Sequence, residues 1–286
     1  MQETIKINEI EAWDHALRSW NHPSIPYVIA PKNAEEISKL GSIAPALRQE
    51  LAFMKFPEFQ TYMNLEKIVG TFSEDPQRGL KAIASHEVGH RFCPFDVITS
   101  IILQHAAEKG IEGKKLPYDP KKASGLILNL FSDMCINTNQ ARKGNVDIPW
   151  AYQQISVDKK DSALWRVYGK SMEMAWKTDI LPEDTKLNNK ELEAAKEIAE
   201  LFERNFFDRS KWRSSIKRYA EVISDFLENE QKDDKKLISC LSRGVTKVVT
   251  NSCDKERSTQ EKNKNFFTVF LSEEGLICNR KLVDLS

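Results

Sequence analysis

Apolar residues recur through most of this chain at intervals of three and four, the spacing of an amphipathic helix, and only short stretches alternate as strands do. Residues 1–21 carry a helical face of Ile10, Trp13, Ala16 and Leu17, and Tyr27 to Ala30 predicts a short strand ended by Pro31. Ala34 to Met54 is mostly helical in pattern, and Glu66 to Phe72 predicts a strand. Asp75 and Pro76 open a helix, because a polar capping residue precedes a proline at the first helical position. Leu80, Ala82, Ile83, Ala84 and Val88 form its apolar body. Cys93-Pro94 stops it, since the residue before a proline is pushed out of the helical region; the helix is bounded by Pro76 and Phe92.

Phe95 to Lys109 predicts the next helix, and Gly110 to Lys122 a polar, proline-containing loop of the kind that can border a cleft. Ser124 to Asn137 is a strongly apolar helical run. Asn145 to Pro149 reads as a turn, and Ser162 to Lys177 as a helix whose stripe of Trp165, Tyr168, Met172 and Trp176 belongs to a core. Leu181 to Asp184 marks a break, after which Asn189 to Phe207 and Lys211 to Glu230 predict a hairpin of two charged amphipathic helices. Gln231 to Lys236 and Asp254 to Lys264 are polar runs expected to be mobile, and Phe266 to Leu271 predicts a terminal strand. No internal repeat is evident. The pattern implies an α+β chain, predominantly α-helical, with a small β-sheet; residues 1–181 are expected to form one domain and 182–286 a mostly helical C-terminal region.

The helix that begins at Pro76 carries His86-Glu87-Val88-Gly89-His90. Positions four apart lie one turn apart on a helical face, so two imidazoles can reach one zinc ion, with Glu87 beside them to take a proton from an activated water. A strand leading into such a helix, as predicted at Glu66 to Phe72, is what zinc peptidases of the zincin type have. The alternative is coincidence in a chain with five histidines.

A catalytic site needs a third protein ligand and an open fourth position. Asp96, six residues after His90, matches the metzincin spacing, but Cys93 stands where that pattern has its turn glycine. Glu108, eighteen residues after His90, is near the shortest gluzincin spacing, but beside Lys109-Gly110 it reads as a solvated acid at a helix end. Asp133 is favoured: it intrudes into the apolar run 124–137, and a carboxylate buried there needs a cation or a dense set of hydrogen bonds. Asn129 and Asn137 share its face at a spacing of four, so they can supply either outer support to a metal centre or an amide network without metal. Tyr168, His105 and Arg142 are candidate donors to a developing oxyanion, each with an equally good structural explanation.

The pentapeptide followed by Cys93-Pro94, then Asn129-Leu130-Phe131-Ser132-Asp133-Met134-Cys135-Ile136-Asn137 and Ala141-Arg142-Lys143-Gly144, resembles a prokaryotic group of metallopeptidases inferred from sequence and related to those associated with von Willebrand factor A-type domains. The likeness covers residues 60 to 180. Leu164-Trp165 with Tyr168, and Glu173 with Trp176, fit its downstream part loosely. The resemblance implies a third ligand from the Asp133 position and supplies no substrate.

Charge narrows the partners. With 42 basic and 42 acidic residues the net charge is zero, so no bulk attraction to nucleic acid or an anionic membrane is expected. The N-terminus lacks the pattern of a signal peptide, and the longest apolar stretch, Val97 to Leu103, is too short to span a bilayer. Five cysteines without a Cys-x-x-Cys pair argue against a disulfide framework or a zinc ribbon and point to the cytoplasm. Cys93 reads as a small buried hydrophobe, or else as a ligand in an inhibited state. The expectation is therefore a cytoplasmic zinc metallopeptidase, with one Zn²⁺ on His86, His90 and Asp133, Glu87 as general base, and a protein or peptide as substrate. The charged C-terminal helices offer a surface for a regulatory partner. A catalytically silent interaction module that keeps the metal, or a zinc hydrolase of another amide, are the alternatives.

Overall fold

The computed structural model describes residues 7–22, 28–55, 60–94, 96–117, 119–205, 207–230, 269–272 and 275–278. The rest of the first helical pattern, Tyr27, the polar runs at 231–236 and 254–264, and residues 266–268 lie outside them. Two compact units divide the chain, Met1–Val249 and Thr250–Ser286.

The first unit is mostly helical, as the pattern predicts, and is built around one helix. Helix α7 (Pro120–Arg142) starts at the Asp119 cap with proline at its first position, and nearly every side chain from Ala123 to Thr138 is buried. A helix buried on all sides belongs in the middle of a domain. Around it pack α5 (Pro76–Gly89), α6 (Val97–Gly110), α8 (Asp147–Ser156), α9 (Ala163–Trp176), α10 (Asn189–Asn205) and α11 (Arg209–Ile223). The first unit runs past the boundary expected at residue 181, because α10 and α11 pack against α9 and α6 and their apolar faces complete the same core. The predicted hairpin of α10 and α11 is present, with a 3₁₀ extension over Ser224–Glu230.

Helix α1 (Glu9–Ser19) buries Ala12, Trp13 and Ala16 against α5, and the Trp20 indole donates to the Ser85 carbonyl at 2.7 Å. A three-stranded sheet of order β1-β3-β2 sits beside this pair. β1 (Val28–Ile29) runs parallel to β3 (Gln60–Met63), and β2 (Ala52–Lys55) pairs antiparallel with β3, placing Phe53 opposite Tyr62. Ile37, Ala44, Leu47 and Tyr62 form a small satellite core there. In the second unit, β4 (Val269–Ser272) and β5 (Gly275–Cys278) form an antiparallel hairpin.

Three local expectations are corrected. Glu66 to Phe72 is not a strand: α4 (Leu65–Thr71) is a helix capped by Asn64, whose side chain accepts from the Lys67 amide, and it buries Leu65, Ile68 and Phe72 at helical spacing. The strand that leads towards α5 is β3. Ala34 to Met54 is helical only as far as Leu47, and in short pieces, α2 (Ala34–Ser38), a 3₁₀ turn (Gly41–Ile43) and α3 (Ala44–Leu47), after which β2 follows. The expected turn at Asn145 to Pro149 is the start of α8, where Pro149 lies in the first turn and removes an amide that has no helical partner.

Candidate metal centre

Helix α5 begins where the Asp75 side chain accepts from the Arg78 amide, and ends at Gly89 with His90 as its cap. This puts the histidines one turn apart in its last turns. Gly89 lets α5 approach α7: a Cβ there would lie 2.3 Å from Ile136 Cγ2 and 2.7 Å from Trp20 Cζ2. The close approach brings Asp133, from the middle of α7, up to both imidazoles. Among the described residues, His86, His90 and Asp133 form the one group of three such side chains placed to share a metal ion.

The separations fit a tetrahedral ion. His86 Nε2 and His90 Nε2 are 3.2 Å apart, and Asp133 Oδ1 is 3.5 Å from each. Zinc with bonds of about 2.0–2.1 Å sets its ligand atoms about 3.3–3.4 Å apart, so the three atoms mark out one face of the coordination tetrahedron.

The hydrogen-bond state of each ligand fits as well. His86 Nδ1 donates to Asn137 Oδ1 at 3.0 Å, and His90 Nδ1 donates to the Cys93 carbonyl at 3.3 Å. Each ring therefore carries its proton on Nδ1. Burial lowers the imidazole pKa values, to about 4 for His86 and about 3 for His90, so both rings are neutral near pH 7 and both Nε2 lone pairs face the same point. Asp133 is 0 % exposed and neither of its oxygens has a hydrogen-bond partner. Two inward lone pairs and an unpartnered carboxylate repel one another unless a cation lies between them. Without one, burial, then the charge of Glu87, push the Asp133 carboxyl well above its usual range.

Glu87 is 4 % exposed, and its Oε2 has no hydrogen-bond partner. Burial, and then the nearby charge of Glu50, raise its pKa to about 8. Glu50 is itself 1 % exposed. It arrives from the segment before β2, where Arg48-Gln49-Glu50 looks like ordinary polar surface in the sequence.

The other candidates are placed elsewhere. Asp96 caps α6, its two oxygens accepting from the Thr99 amide at 2.8 Å and the Thr99 hydroxyl at 2.9 Å. Glu108 accepts from Ser124 and pairs with His105, whose side chain is 43 % exposed. Arg142 donates to the Glu203 carbonyl, and the buried Tyr168 hydroxyl to the Leu130 carbonyl at 3.4 Å. Cys93 is fully buried beside the buried thiol of Cys135. Sequence reasoning passed over Tyr152, which lies behind Asn137; nothing local in Ala151-Tyr152-Gln153 marks it.

No protein-family model, curated protein or solved structure matches the chain. The reading of the site rests on its geometry: a predominantly helical α+β chain that buries a His₂-carboxylate set with an acid alongside.

Proposed function

We propose that this chain is a zinc-dependent hydrolase of the zincin type that cleaves peptide bonds, in line with its resemblance to the prokaryotic metallopeptidases related to those associated with von Willebrand factor A-type domains. The observation that carries the reading is the unpartnered, fully buried Asp133 carboxylate facing two Nε2 lone pairs at tetrahedral spacing. Zinc held there would supply Lewis-acid polarisation of a carbonyl and would activate water as a nucleophile near neutral pH.

The chain's own residues do the rest. His86, His90 and Asp133 would hold the ion through their Nε2 atoms and a carboxylate oxygen. Glu87, next to His86 on the same helix, accepts a proton from the attacking water at its carboxylate and returns it to the leaving amine. Its carboxyl stays protonated up to about pH 8 in the metal-free fold and ionises more readily beside a divalent cation. Cys93 and Cys135, side by side as buried thiols, suit a reducing compartment, and we assign the protein to the cytoplasm.

One observation favours a second reading. His86, Glu87 and His90 are all at most 6 % exposed, which suits a sealed, catalytically silent metal module. Proteolysis of a denatured-protein substrate by the zinc-loaded chain, compared with Glu87→Gln, separates the two. A hydrolase loses about 10²–10⁴-fold of its rate on that substitution while keeping its metal. A wild type that holds zinc yet cuts no better than Glu87→Gln is the silent module.

A further inference from the structure

We propose that Tyr152 is a positioning residue of the metal centre, which acts through Asn137 to hold the His86 ring with its proton on Nδ1 and its Nε2 lone pair turned inward. This deepens the metal reading above and rests on it for its effect on zinc.

A continuous run of hydrogen bonds leads from the site into α8. His86 Nδ1 donates to Asn137 Oδ1 at 3.0 Å, and Asn137 Nδ2 donates to the Tyr152 hydroxyl at 2.6 Å. The Tyr168 hydroxyl, which donates to the Leu130 carbonyl, lies next to that hydroxyl. Every member is buried: Asn137 and Tyr168 are 0 % exposed, His86 and Tyr152 4 %. A carboxamide has one accepting and one donating end. A tyrosine hydroxyl can donate or accept, and in the run as it stands Asn137 Nδ2 donates to Tyr152, which leaves Oδ1 facing His86, where an Nδ1 that carries hydrogen satisfies it.

The tyrosine is well placed to do this because its ring cannot turn away. Trp165 stacks on it at 6.0 Å between centroids and 8° between planes, and Trp176 meets it edge-on at 5.7 Å. Both indoles are themselves fixed, Trp165 Nε1 by the Ser156 hydroxyl at 3.1 Å and Trp176 Nε1 by the Thr138 hydroxyl at 2.9 Å. Three aromatic rings from α8 and α9 thus set one hydroxyl, the hydroxyl sets an amide on α7, and the amide sets a histidine on α5. Outer hydrogen bonds of this kind fix ligand orientation and are worth about 10–100-fold in metal affinity.

The test has two readouts on the full chain. Imidazole ¹⁵N shifts of the metal-free protein report the tautomer of His86, and competition against a chromogenic chelator reports zinc affinity. In wild type His86 should be the Nδ1–H form. In Tyr152→Phe it should become a mixture with Nε2–H, and zinc affinity should fall about 10–100-fold. Asn137→Leu should weaken zinc at least as much, and adding Tyr152→Phe to it should cause no further loss, because the tyrosine acts through the amide. A wild-type His86 protonated on Nε2 overturns the proposal even if the variants fail to fold. So does Tyr152→Phe with wild-type tautomer and affinity, which would make Tyr152 a packing residue. Absence of zinc binding by wild type would defeat the metal reading instead, and the ¹⁵N readout would still decide what Tyr152 does.

Discussion

Asp133 carries a burial cost that no hydrogen bond among the described residues offsets. A carboxyl group with no partner at 0 % exposure destabilises a domain by about 1–3 kcal/mol relative to an apolar side chain of similar size. Asp133→Leu should therefore raise the stability of the metal-free protein by about that amount, read by urea unfolding in the presence of chelator, and should abolish any stabilisation by zinc. A metal-free Asp133→Leu protein less stable than wild type would mean that Asp133 is held by interactions other than a metal. His86, Glu87 and His90 are legible from sequence because their geometry is set within one turn of one helix. Asp133 is legible because an acid in an apolar helical run announces an unmet need. Tyr152 and Glu50 are not: their neighbours in sequence look ordinary, and only the packing of α8 and of the segment before β2 brings them to the site.

Elements set by strong local signals match expectation, and those that depend on long-range context do not. Helix α5 begins at the expected Asp75 and Pro76, α9 directly after Ser162 and α6 two residues past the expected Phe95, whereas α7 starts at Pro120, inside the segment 110–122 expected to be a loop, because Asp119 caps it. At α4 Ile68, Val69 and Thr71 favour a strand locally, whereas burial of Leu65, Ile68 and Phe72 with the Asn64 cap settles it as helix. The same packing gives two glycines of α5 different roles. Gly89 lets α5 meet α7, while at Gly79 a Cβ would run 2.3 Å from the Phe72 ring, on the side facing α4. Both Gly89→Ala and Gly79→Ala should cost about 1–3 kcal/mol through overpacking. Only Gly89→Ala should also weaken zinc binding, since it alone separates the histidines from Asp133. Equal effects of the two on zinc affinity, measured by titration of folded protein, would contradict this account of the helix contact.

At the scale of the molecule, the first unit is a shell of helices around α7, and the site is buried where α5 meets that central helix. No helix among the described residues is long and apolar enough to cross a membrane. Burial makes the site responsive to acid. Imidazoles whose folded pKa values are lowered from 6.5 to about 4 and about 3 contribute stability that is fully present above about 6.5, and it is lost as pH falls towards those values, because the unfolded chain takes up the protons first. Metal held by these residues would add to stability at neutral pH and would be displaced by protons in acid. The most direct test is elemental analysis of the purified full chain after zinc loading and desalting, at pH 7.5 and at pH 4, beside His86→Ala, Asp133→Ala and Asp96→Ala. About one zinc per chain is expected at pH 7.5, lost at pH 4 and in the His86 and Asp133 variants but kept in Asp96→Ala. A wild type that retains no zinc at pH 7.5, or an Asp133→Ala protein that retains as much as wild type, would contradict the metal reading.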